Sequence, residues 1–422
     1  MLDRTKAPYI NDLVQQDIIR AQEAFIFEKT PVFFVHSDNQ EALKIEIITD
    51  SGSKSESVPA AASTTLSLLN EGTTSRSGSE ISEGFDKLGA FTDFNNTSDR
   101  QHISCYTLER FFPECIEMLS DVWLNPAFPE HEIERYQSQK AEQIAQQRKK
   151  NQYKAAEIFK NSLFGLDHPY GRTVGPEELK AVTRQDLIDF HPTMYRNPII
   201  LLSGKITDRV LSSLQDHLKK IPVQKHTNTP LPKGNQTTGQ IVIDRPESLQ
   251  SSIRMGLPVI DRGHEDYYKL VVTNEIFGGY FGSRLMKNIR EDKGYTYGIH
   301  SRLMHLEEAG YLIIGTDVVK DKTSDTLIEI KKELEILSTE NVPDSEFRTV
   351  INYLKGNFIS SVNTPYALTD KFKSIYFFGL DYSFYDEYFT NLDKITPEDI
   401  KSTVNKYLLN DQWTEVIVGG LK

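Results

Sequence analysis

The spacing of apolar positions changes in a regular order along the chain, and this order predicts its elements. Alternating runs such as LKIEIITDSG and SSIRMGLPV are typical of strands with one buried face, and they open the two halves of the chain. Segments with helical spacing follow, and each half closes on a compact β run, PIILLSG or WTEVIVGG. Antiparallel sheets with helices on one face account for this order, so we predict an α+β fold.

Helix starts are marked most clearly by proline. Long helical patterns follow Pro129 and Pro343, and acidic residues beside each proline suit the N-terminal end of the helix dipole. The stretch from Ala60 to Gly89, AAASTTLSLLNEGTTSRSGSEISEGFDKLG, has the outline of a helix, a break that contains glycine and a second helix.

The two halves also share short segments at a nearly constant offset. TRQDLIDF from Thr183 matches TPEDIKST from Thr396, an offset of 396 − 183 = 213. PEHEIERYQSQKAEQI from Pro129 matches PDSEFRTVINYLKGNF from Pro343, an offset of 343 − 129 = 214. Two separate segments with nearly one offset indicate an internal duplication, and chance similarity between helix-rich segments is the alternative.

The composition of the chain marks a boundary between the two halves. The run IPVQKHTNTPLPKGNQTTG, from Ile221 to Gly239, is rich in Pro, Thr, Asn and Gly and lacks apolar periodicity, which is typical of a linker. We therefore predict a first domain over 1–221, a linker over 222–239 and a second, homologous domain over 240–422. A length of 422 residues suits two domains of roughly 200 residues each.

Composition limits the possible partners and locations. The formal net charge of −12 argues against binding to nucleic acid, which needs basic surface. No apolar run approaches the roughly 18 residues of a membrane span, so no membrane association is expected. The start, MLDRTKAPYINDLVQQ, has no apolar core of a secretory signal, so we expect a cytoplasmic protein, or a periplasmic one if a signal was removed.

The chain has two cysteines, Cys105 and Cys115. The first falls in an alternating apolar segment and the second near the start of a helix. We interpret both as buried, reduced thiols, and a disulfide between them is the alternative.

Three segments in order resemble the pitrilysin/insulinase family, also called the inverzincin metallopeptidases, of the half-length bacterial type. They are LLNEGTTSRSGSEISEGFDKLGAF, WLNPAFPEHEIERYQSQKAEQI and HPYGRTVGPEELKAVTRQDLIDFHPTMY. In the second half, GGYFGSRLMKNIREDKGYTYGI is similar to the carboxy-terminal domain of that family. The resemblance covers nearly the whole chain and implies two homologous α+β domains that form half of a peptidase clamshell.

Active members carry H-x-x-E-H on a helix, where two His ligate zinc and the Glu activates water. When the chain is aligned on Gly72, the two histidine positions fall on Ser63 and Ser67, and the position of the base falls on Leu66. Serine hydroxyls are poor zinc ligands and leucine cannot accept a proton. We therefore expect no metal and no other cofactor on this chain.

The distal zinc ligand of the family is a Glu about 75 residues farther along. It falls on Glu142 or Gln143, and the two alternatives differ by a shift of one residue. The expected role of a lone carboxylate at this place is on a solvated helix face.

The ten histidines show no i, i+4 pair and no tight cluster that could replace this site. The nearest imitation begins at His305, in HLEEA, and we interpret it as a polar hairpin turn between two strands. His168, in HPYGR, matches a recurrent segment of the family, and we interpret it as a hydrogen-bonded structural residue.

The resemblance also implies a partner. Bacterial relatives of this length are often pairs of subunits, of which one carries H-x-x-E-H and the other supplies an Arg and a Tyr seven residues apart. The segment from Arg290 to Tyr297, REDKGYTY, reproduces this spacing. Both side chains could donate hydrogen bonds to a substrate carbonyl as it becomes an oxyanion. The alternative is a surface Arg that pairs with Glu291 or Asp292 and a half-buried strand Tyr.

Two further features have structural alternatives. Gly278, Gly279 and Gly282 lie beside this segment, and we expect them to serve backbone geometry rather than nucleotide binding. The segment AFTDF, 90–94, matches the family's edge strand, on which an extended peptide can pair, although in a metal-free half the edge can be without a ligand.

The sequence thus predicts a non-zinc-binding subunit of a heterodimeric zinc metallopeptidase. Such a chain is inactive alone, encloses peptides together with a zinc-bearing H-x-x-E-H subunit and donates Arg290 and Tyr297. The alternative is a catalytically inert scaffold or peptide-binding homologue that resembles the core subunits of respiratory complexes. An independent peptidase with an unorthodox site is a third hypothesis. The Arg–Tyr pair favours the first, because a pure scaffold does not need it.

Overall fold

The computed structural model describes residues 13–14, 17–27, 30–227 and 230–421. The first twelve residues, in which we found no signal sequence, lie outside this range, as do residues 228–229 of the predicted linker. Two β-sheets, one in each half of the chain, organise the fold.

The first sheet has six strands in the order β1-β2-β6-β3-β5-β4. Their bounds are β1 (Gln22–Phe27), β2 (Thr30–His36), β3 (Ala42–Thr49), β4 (Phe91–Asn96), β5 (Gln101–Leu108) and β6 (Ile199–Gly204). The second sheet has five strands in the order β7-β11-β8-β10-β9. Their bounds are β7 (Gly239–Asp244), β8 (Gln250–Val259), β9 (Thr296–His305), β10 (Gly310–Val319) and β11 (Thr414–Gly419).

Helices fill the connections in both halves. The first half contains α1 (Ala61–Ser67), α2 (Gly78–Lys87), α3 (Phe112–Leu124), α4 (Glu130–Arg148), α5 (Asn151–Phe164), α6 (Pro176–Ala181), α7 (Arg184–Phe190) and α8 (Asp208–Leu218). The second contains α9 (Tyr267–Asn274), α10 (Thr323–Thr339), α11 (Asp344–Ser360), α12 (Pro365–Tyr376), α13 (Ser383–Asp386), α14 (Tyr388–Lys394) and α15 (Pro397–Thr403). Short 3₁₀ turns span Ser53–Ser55, Leu69–Glu71, Glu109–Phe111, His191–Tyr195 and Lys320–Lys322, and π-helical segments span Glu275–Gly279, Met286–Asp292 and Val404–Leu408. None of these described helices combines the length and the apolar character of a membrane span.

The two sheets have the same topology apart from the additional strand β1. In each sheet the last strand of its half is an inner strand and pairs in parallel with one neighbour, β6 with β2 and β11 with β7. The other pairs are antiparallel. The predicted α+β class is confirmed. The single parallel pair in each sheet was not expected from the pattern of alternating runs.

The matching sequence segments occupy matching helix starts. Thr183 begins α7 with a capping box, in which its hydroxyl accepts from the backbone N–H of Asp186 while its own N–H donates to that carboxylate at 2.8 Å. Thr396 and Asp399 form the same reciprocal pair at the start of α15, where the N–H of Thr396 donates at 2.9 Å. This equivalence supports the internal duplication, since a capping box fixes the same start in both helices.

Each sheet packs the helices of its own half on one face and one helix of the other half on the opposite face. Phe159 of α5 is fully buried against Val416 and Val418 of β11 in the second sheet. In the reverse direction, Phe372 of α12 packs against Leu201 of β6 in the first sheet. All six residues of β6 and of β11 are buried, so both faces of these central strands require cover.

A second contact between the halves is ionic. The hairpin turn between β9 and β10 carries Glu307, whose carboxylate forms ion pairs with Lys54 and Arg100 of the first half. The backbone N–H of Glu307 donates to the carboxylate of Asp99 at 3.2 Å, and this carboxylate also accepts from the hydroxyl of Tyr170 at 2.6 Å. We refer to these five residues as the inter-half cluster. Its side chains are largely buried, and removal of Glu307 would leave Lys54 with Asp99 and Arg100 with Asp50 as remaining partners, each at 3.4 Å.

Candidate functional site

The helix α1, where family members bind zinc, is held at its N-terminus by a buried carboxylate. Glu56 accepts from the backbone N–H groups of Ala60 at 3.2 Å and of Ala62 at 3.0 Å, and Arg172 donates to it at 3.1 Å. Burial raises the pKa of Glu56, while these donors oppose the rise. The carboxylate thus replaces an ordinary cap, because Ala60 has a left-handed φ of 72° and no side chain that could cap.

The three positions of the missing zinc motif have different surroundings. Ser63 donates to the carbonyl oxygen of Ala60 at 3.2 Å, on its own helix. Leu66 is buried in the core of the first half, with 2% of its surface exposed. Ser67 is exposed and accepts from the hydroxyl of Tyr136, on α4, at 3.2 Å. Two hydroxyls and an apolar side chain do not provide the nitrogen, sulfur or carboxylate ligands that zinc requires, so zinc does not fit this donor set.

The helix α4 carries both candidates for the distal ligand. Glu142 and Gln143 are exposed, and neither side chain has a hydrogen bond or ion pair with a described residue. Among the residues that the structure describes, no group of three or more His, Cys, Asp and Glu side chains could hold a metal ion.

The segment 90–94 leads into β4, which forms one edge of the first sheet. Exposed and half-buried side chains alternate along β4, and Phe91 exposes 63% of its surface. Beside this edge lies a groove of about 970 Å³, bounded by the 3₁₀ turn Leu69–Glu71, by α2 and by the first turns of α4. Arg135 lines the groove and is held by Glu71 at 2.9 Å and Glu132 at 2.6 Å. The sheet edge and the groove together form a surface that suits an extended peptide.

Arg290 and Tyr297 lie on different elements of the second half. Arg290 belongs to the π-helical segment Met286–Asp292, and its guanidinium lies 4.6 Å from the ring centroid of Phe281. Its contact with Glu291 is loose, at 4.0 Å. Tyr297 belongs to β9, which forms an edge of the second sheet, and exposes 93% of its surface. The structure gives no hydrogen bond from the phenol of Tyr297 to a described residue.

The neighbouring glycines allow close packing. A Cβ atom on Gly278 would lie 2.8 Å from the hydroxyl of Ser301 and 2.9 Å from a methyl group of Leu285. A Cβ atom on Gly279 would lie 2.7 Å from the carboxylate of Glu275. These close approaches agree with the expectation that the glycines serve backbone geometry.

Two histidines singled out in the sequence, His168 and His305, have different surroundings. His168 is largely buried, accepts from the backbone N–H of Tyr170 at 3.0 Å and stacks on Phe164, and burial lowers its pKa. His305 ends β9 immediately before the hairpin turn, and burial lowers its pKa to about 4.

The sequence did not predict the inter-half cluster at this turn. The partners of Glu307 are more than 200 residues away in the chain, and no local pattern marks them.

Both cysteines are buried and free. Cys105 lies in β5 and Cys115 in α3, where its thiol donates to the hydroxyl of Thr107 at 3.1 Å. The thiols agree with the expectation of two reduced, buried cysteines.

Two family models match adjoining parts of the chain. Residues 32–175 match the model described as insulinase (peptidase family M16), and residues 181–354 match the model described as the peptidase M16 inactive domain. The zinc-motif positions Ser63, Leu66 and Ser67 lie in the segment that matches the first model, and they offer no zinc ligands there.

Similar proteins come from several bacteria. An uncharacterized zinc protease of Mycobacterium leprae is 23% identical over 367 residues, which cover 83% of this chain and 80% of that protein. A non-peptidase homolog of Helicobacter pylori is 22% identical over 370 residues, which cover 84% of this chain and 83% of that protein.

The fold is similar to that of a solved structure, the crystal structure of a peptidase M16 inactive domain from Pseudomonas fluorescens. The TM-score is 0.84 and the sequence identity 23%, with coverage of 95% of this chain and 98% of the other. The duplicated topology, the two matching family models and the altered zinc-motif positions lead to one conclusion: this chain belongs to the insulinase (M16) peptidase family, as a member without the H-x-x-E-H motif.

Proposed function

We propose that this chain is the non-zinc-binding subunit of a heterodimeric zinc metallopeptidase and that it donates Arg290 and Tyr297 to peptide substrates. The observation that carries the proposal is the exposure of Tyr297, 93%, on an edge strand. A tyrosine kept for packing would bury its ring, whereas this phenol is available to a ligand.

The chemistry of the pair suits the stabilisation of negative charge. A phenol and a guanidinium both donate hydrogen bonds, and such donors accelerate peptide hydrolysis when they bind the developing oxyanion more strongly than the ground-state carbonyl. Arg290 is held by the face of Phe281 and by a loose contact with Glu291, which are weak restraints at an exposed site. Its guanidinium can therefore turn towards a substrate at little cost.

Peptide binding has a second support in the first half. The edge of β4 offers unpaired backbone groups for strand addition, and the adjacent groove of about 970 Å³ has room for side chains of the peptide. In the proposed complex this chain encloses the peptide, and the partner, which carries H-x-x-E-H and zinc, cleaves it. This chain alone supplies no group that activates water at α1.

The second candidate is a catalytically inert scaffold or peptide-binding homologue. The loss of all three zinc-motif side chains favours it, and the relative from Helicobacter pylori is named a non-peptidase homolog. The two candidates differ in one respect that can be measured, namely whether Tyr297 contributes to turnover.

The test is peptide hydrolysis by this chain reconstituted with an H-x-x-E-H-bearing partner. We expect Tyr297→Phe to lower kcat by about 10²-fold or more, because one oxyanion donor is lost, and Arg290→Ala to be comparably harmful. Tyr353→Phe is the matched control, since Tyr353 is also an exposed tyrosine, on α11, and should leave kcat unchanged. Wild-type turnover by Tyr297→Phe in a complex that is intact by size exclusion would support the scaffold instead.

The metal content of the separate subunits gives an independent prediction. Because Ser63, Leu66 and Ser67 cannot ligate zinc, the purified chain should contain no stoichiometric zinc and should cleave no peptide alone. Elemental analysis and a peptide-cleavage assay of each subunit and of the mixture check this. About one zinc per chain, together with cleavage that a chelator abolishes, would contradict it.

A further inference from the structure

A cavity of about 540 Å³, open to solvent, lies in the second half and is lined by α9, α11, α12 and the short helices α13 and α14. Its volume falls in the range of about 300 to 1,000 Å³ that is usual for small-ligand sites. The lining includes none of the zinc-motif positions and neither residue of the Arg–Tyr pair. The cavity is therefore separate from the site discussed above.

Five aromatic side chains contribute to its walls. The rings of Phe358 and Tyr388 stack with centroids 4.6 Å apart, and the ring of Tyr267 lies 5.8 Å from that of Phe384. Tyr385 completes this set. Rings that pack against each other are rigid, so they offer flat apolar surface at little cost in conformational entropy to a ligand of matching shape.

Two cations face the same cavity, Arg262 from the loop after β8 and Lys371 from α12. Neither forms an ion pair with a described carboxylate. The Nη1 atom of Arg262 donates to the carbonyl oxygen of Ser374 at 3.1 Å, while its Nε atom is buried without an acceptor. The cavity lining contains one carboxylate, Asp370, and it is bound to Lys373 at 2.7 Å.

Lys371 is the more unusual of the two cations. Burial lowers its pKa, and the positive charge of Arg262 lowers it further. The ammonium lies 5.3 Å from the ring centroid of Phe358 and 5.6 Å from that of Tyr385, contacts that offset a part of the cost of burial. Two like charges that share one cavity, whose single carboxylate already pairs with Lys373, are unfavourable, and an anion between them would reduce this cost.

We propose that this cavity binds a carboxylate attached to an apolar or aromatic body. Arg262 and Lys371 bind the carboxylate, and the aromatic walls enclose the body. Two sources offer this chemistry: the carboxy-terminus of a peptide that ends in a large apolar residue, and a free aromatic acid. One face of α12 packs on the first sheet and the other lines the cavity, so an occupant also contacts the helix that connects the halves.

The test is calorimetric titration of the full chain with three probes: N-acetyl-Leu-Phe with a free carboxylate, its carboxy-terminal amide, and 3-phenylpropionate. We expect the peptide acid or phenylpropionate to bind saturably. The amide should bind about tenfold or more weakly than the peptide acid, since charge-assisted hydrogen bonds are lost. Tighter binding of the peptide acid identifies a peptide site, and tighter binding of phenylpropionate a site for free acids. Equal affinity for acid and amide, or no saturable binding at millimolar concentrations, would overturn the proposal.

Substitutions in the cavity lining test whether the acid binds at this site. Lys371→Met keeps an apolar stem of similar length and should weaken acid binding about tenfold or more without affecting the amide. Lys394→Met, on the exposed surface of α14 and outside the lining, is the control and should bind as the wild type does. Arg262→Gln gives a second measurement if Lys371→Met fails to fold. Unchanged acid affinity in a folded variant, with only a lower thermal midpoint, would show that the cation is held for its ring contacts and would overturn the proposal.

Discussion

At Glu275 a carboxylate is folded into a largely apolar environment without a compensating partner. Its Oε2 atom is buried and has no hydrogen bond to a described residue, and Tyr280 and Tyr388 are the titratable groups that sense its charge. Burial raises the pKa of Glu275 to about 7, from an ordinary value of 4.5. The folded state therefore holds a proton that the unfolded state releases.

The pH dependence of stability follows from this difference. Below the unfolded pKa both states are protonated and the group has no effect. As the pH rises towards 7 the folded state loses stability, and above 7 the loss is complete. We expect Glu275→Gln to raise the free energy of unfolding by about 2 kcal/mol at pH 8 and to change it little at pH 4. Urea unfolding at both pH values checks this, with the exposed Glu265→Gln as the control. An equal effect at both pH values would contradict the explanation.

For single residues, the sequence predicted the candidate site only where the spacing between residues determines which element carries them. Spacing from Gly72 located Ser63, Leu66 and Ser67 on one helix, and the structure has them on α1. The family resemblance implied the pair of Arg290 and Tyr297, but it could not show that the guanidinium lies on Phe281 or that the phenol is exposed. Such contacts depend on which elements pack together, and the local sequence does not contain that information.

Among the elements, the π-helical segment Met286–Asp292 carries Arg290 and β9 carries Tyr297. The π-helical segment Glu275–Gly279 packs on β9, and we call these three elements the framework of the Arg–Tyr pair. Gly278 allows the segment to approach Ser301 of β9, where a Cβ atom would lie 3.0 Å from the backbone nitrogen. The sequence predicted a backbone role for the glycines. It could not predict the π-helical geometry, because the elements that contact the segment, β9 and α11, lie outside it in the sequence.

This packing gives a prediction for a single methyl group. Gly278→Ala should lower the free energy of unfolding by about 1 to 3 kcal/mol, because the backbone of β9 cannot move away easily. Gly298→Ala, on β9, is the matched control, since a Cβ atom at Gly298 would have no neighbour within 4 Å. Chemical denaturation of both variants checks the difference. If the two variants are equally stable, the close approach of Gly278 to β9 does not constrain this framework.

For the whole molecule, the inter-half cluster contributes a contact that is both buried and charged. Glu307→Ala should destabilise the chain by about 3 kcal/mol, because Lys54 and Arg100 lose a buried partner. Glu308→Ala is the control, since this neighbouring carboxylate is exposed. Denaturant unfolding followed by tryptophan fluorescence measures both variants. If Glu307→Ala lowers the free energy of unfolding no more than the control does, the inter-half cluster does not stabilise the contact between the halves.

The duplicated architecture was readable from the sequence because the repeated segments lie at helix starts, where capping residues are specific. The sequence did not show that a helix from the other half covers each sheet. The continuous apolar runs of β6 and β11 indicated only that these strands are buried on both faces. Apolar runs show that cover is needed, but they do not identify the element that provides it.

The exchange of α5 and α12 has a consequence for fragments of this protein. If the chain is cut within the proposed linker, 222–239, each fragment keeps a complete sheet but loses the helix that covers its second face. Neither fragment can then cover both faces of its own sheet, and each carries the helix that the other lacks. The two pieces should therefore assemble by complementation in trans, as an interlocked pair, whereas either piece expressed alone should aggregate through its bare sheet.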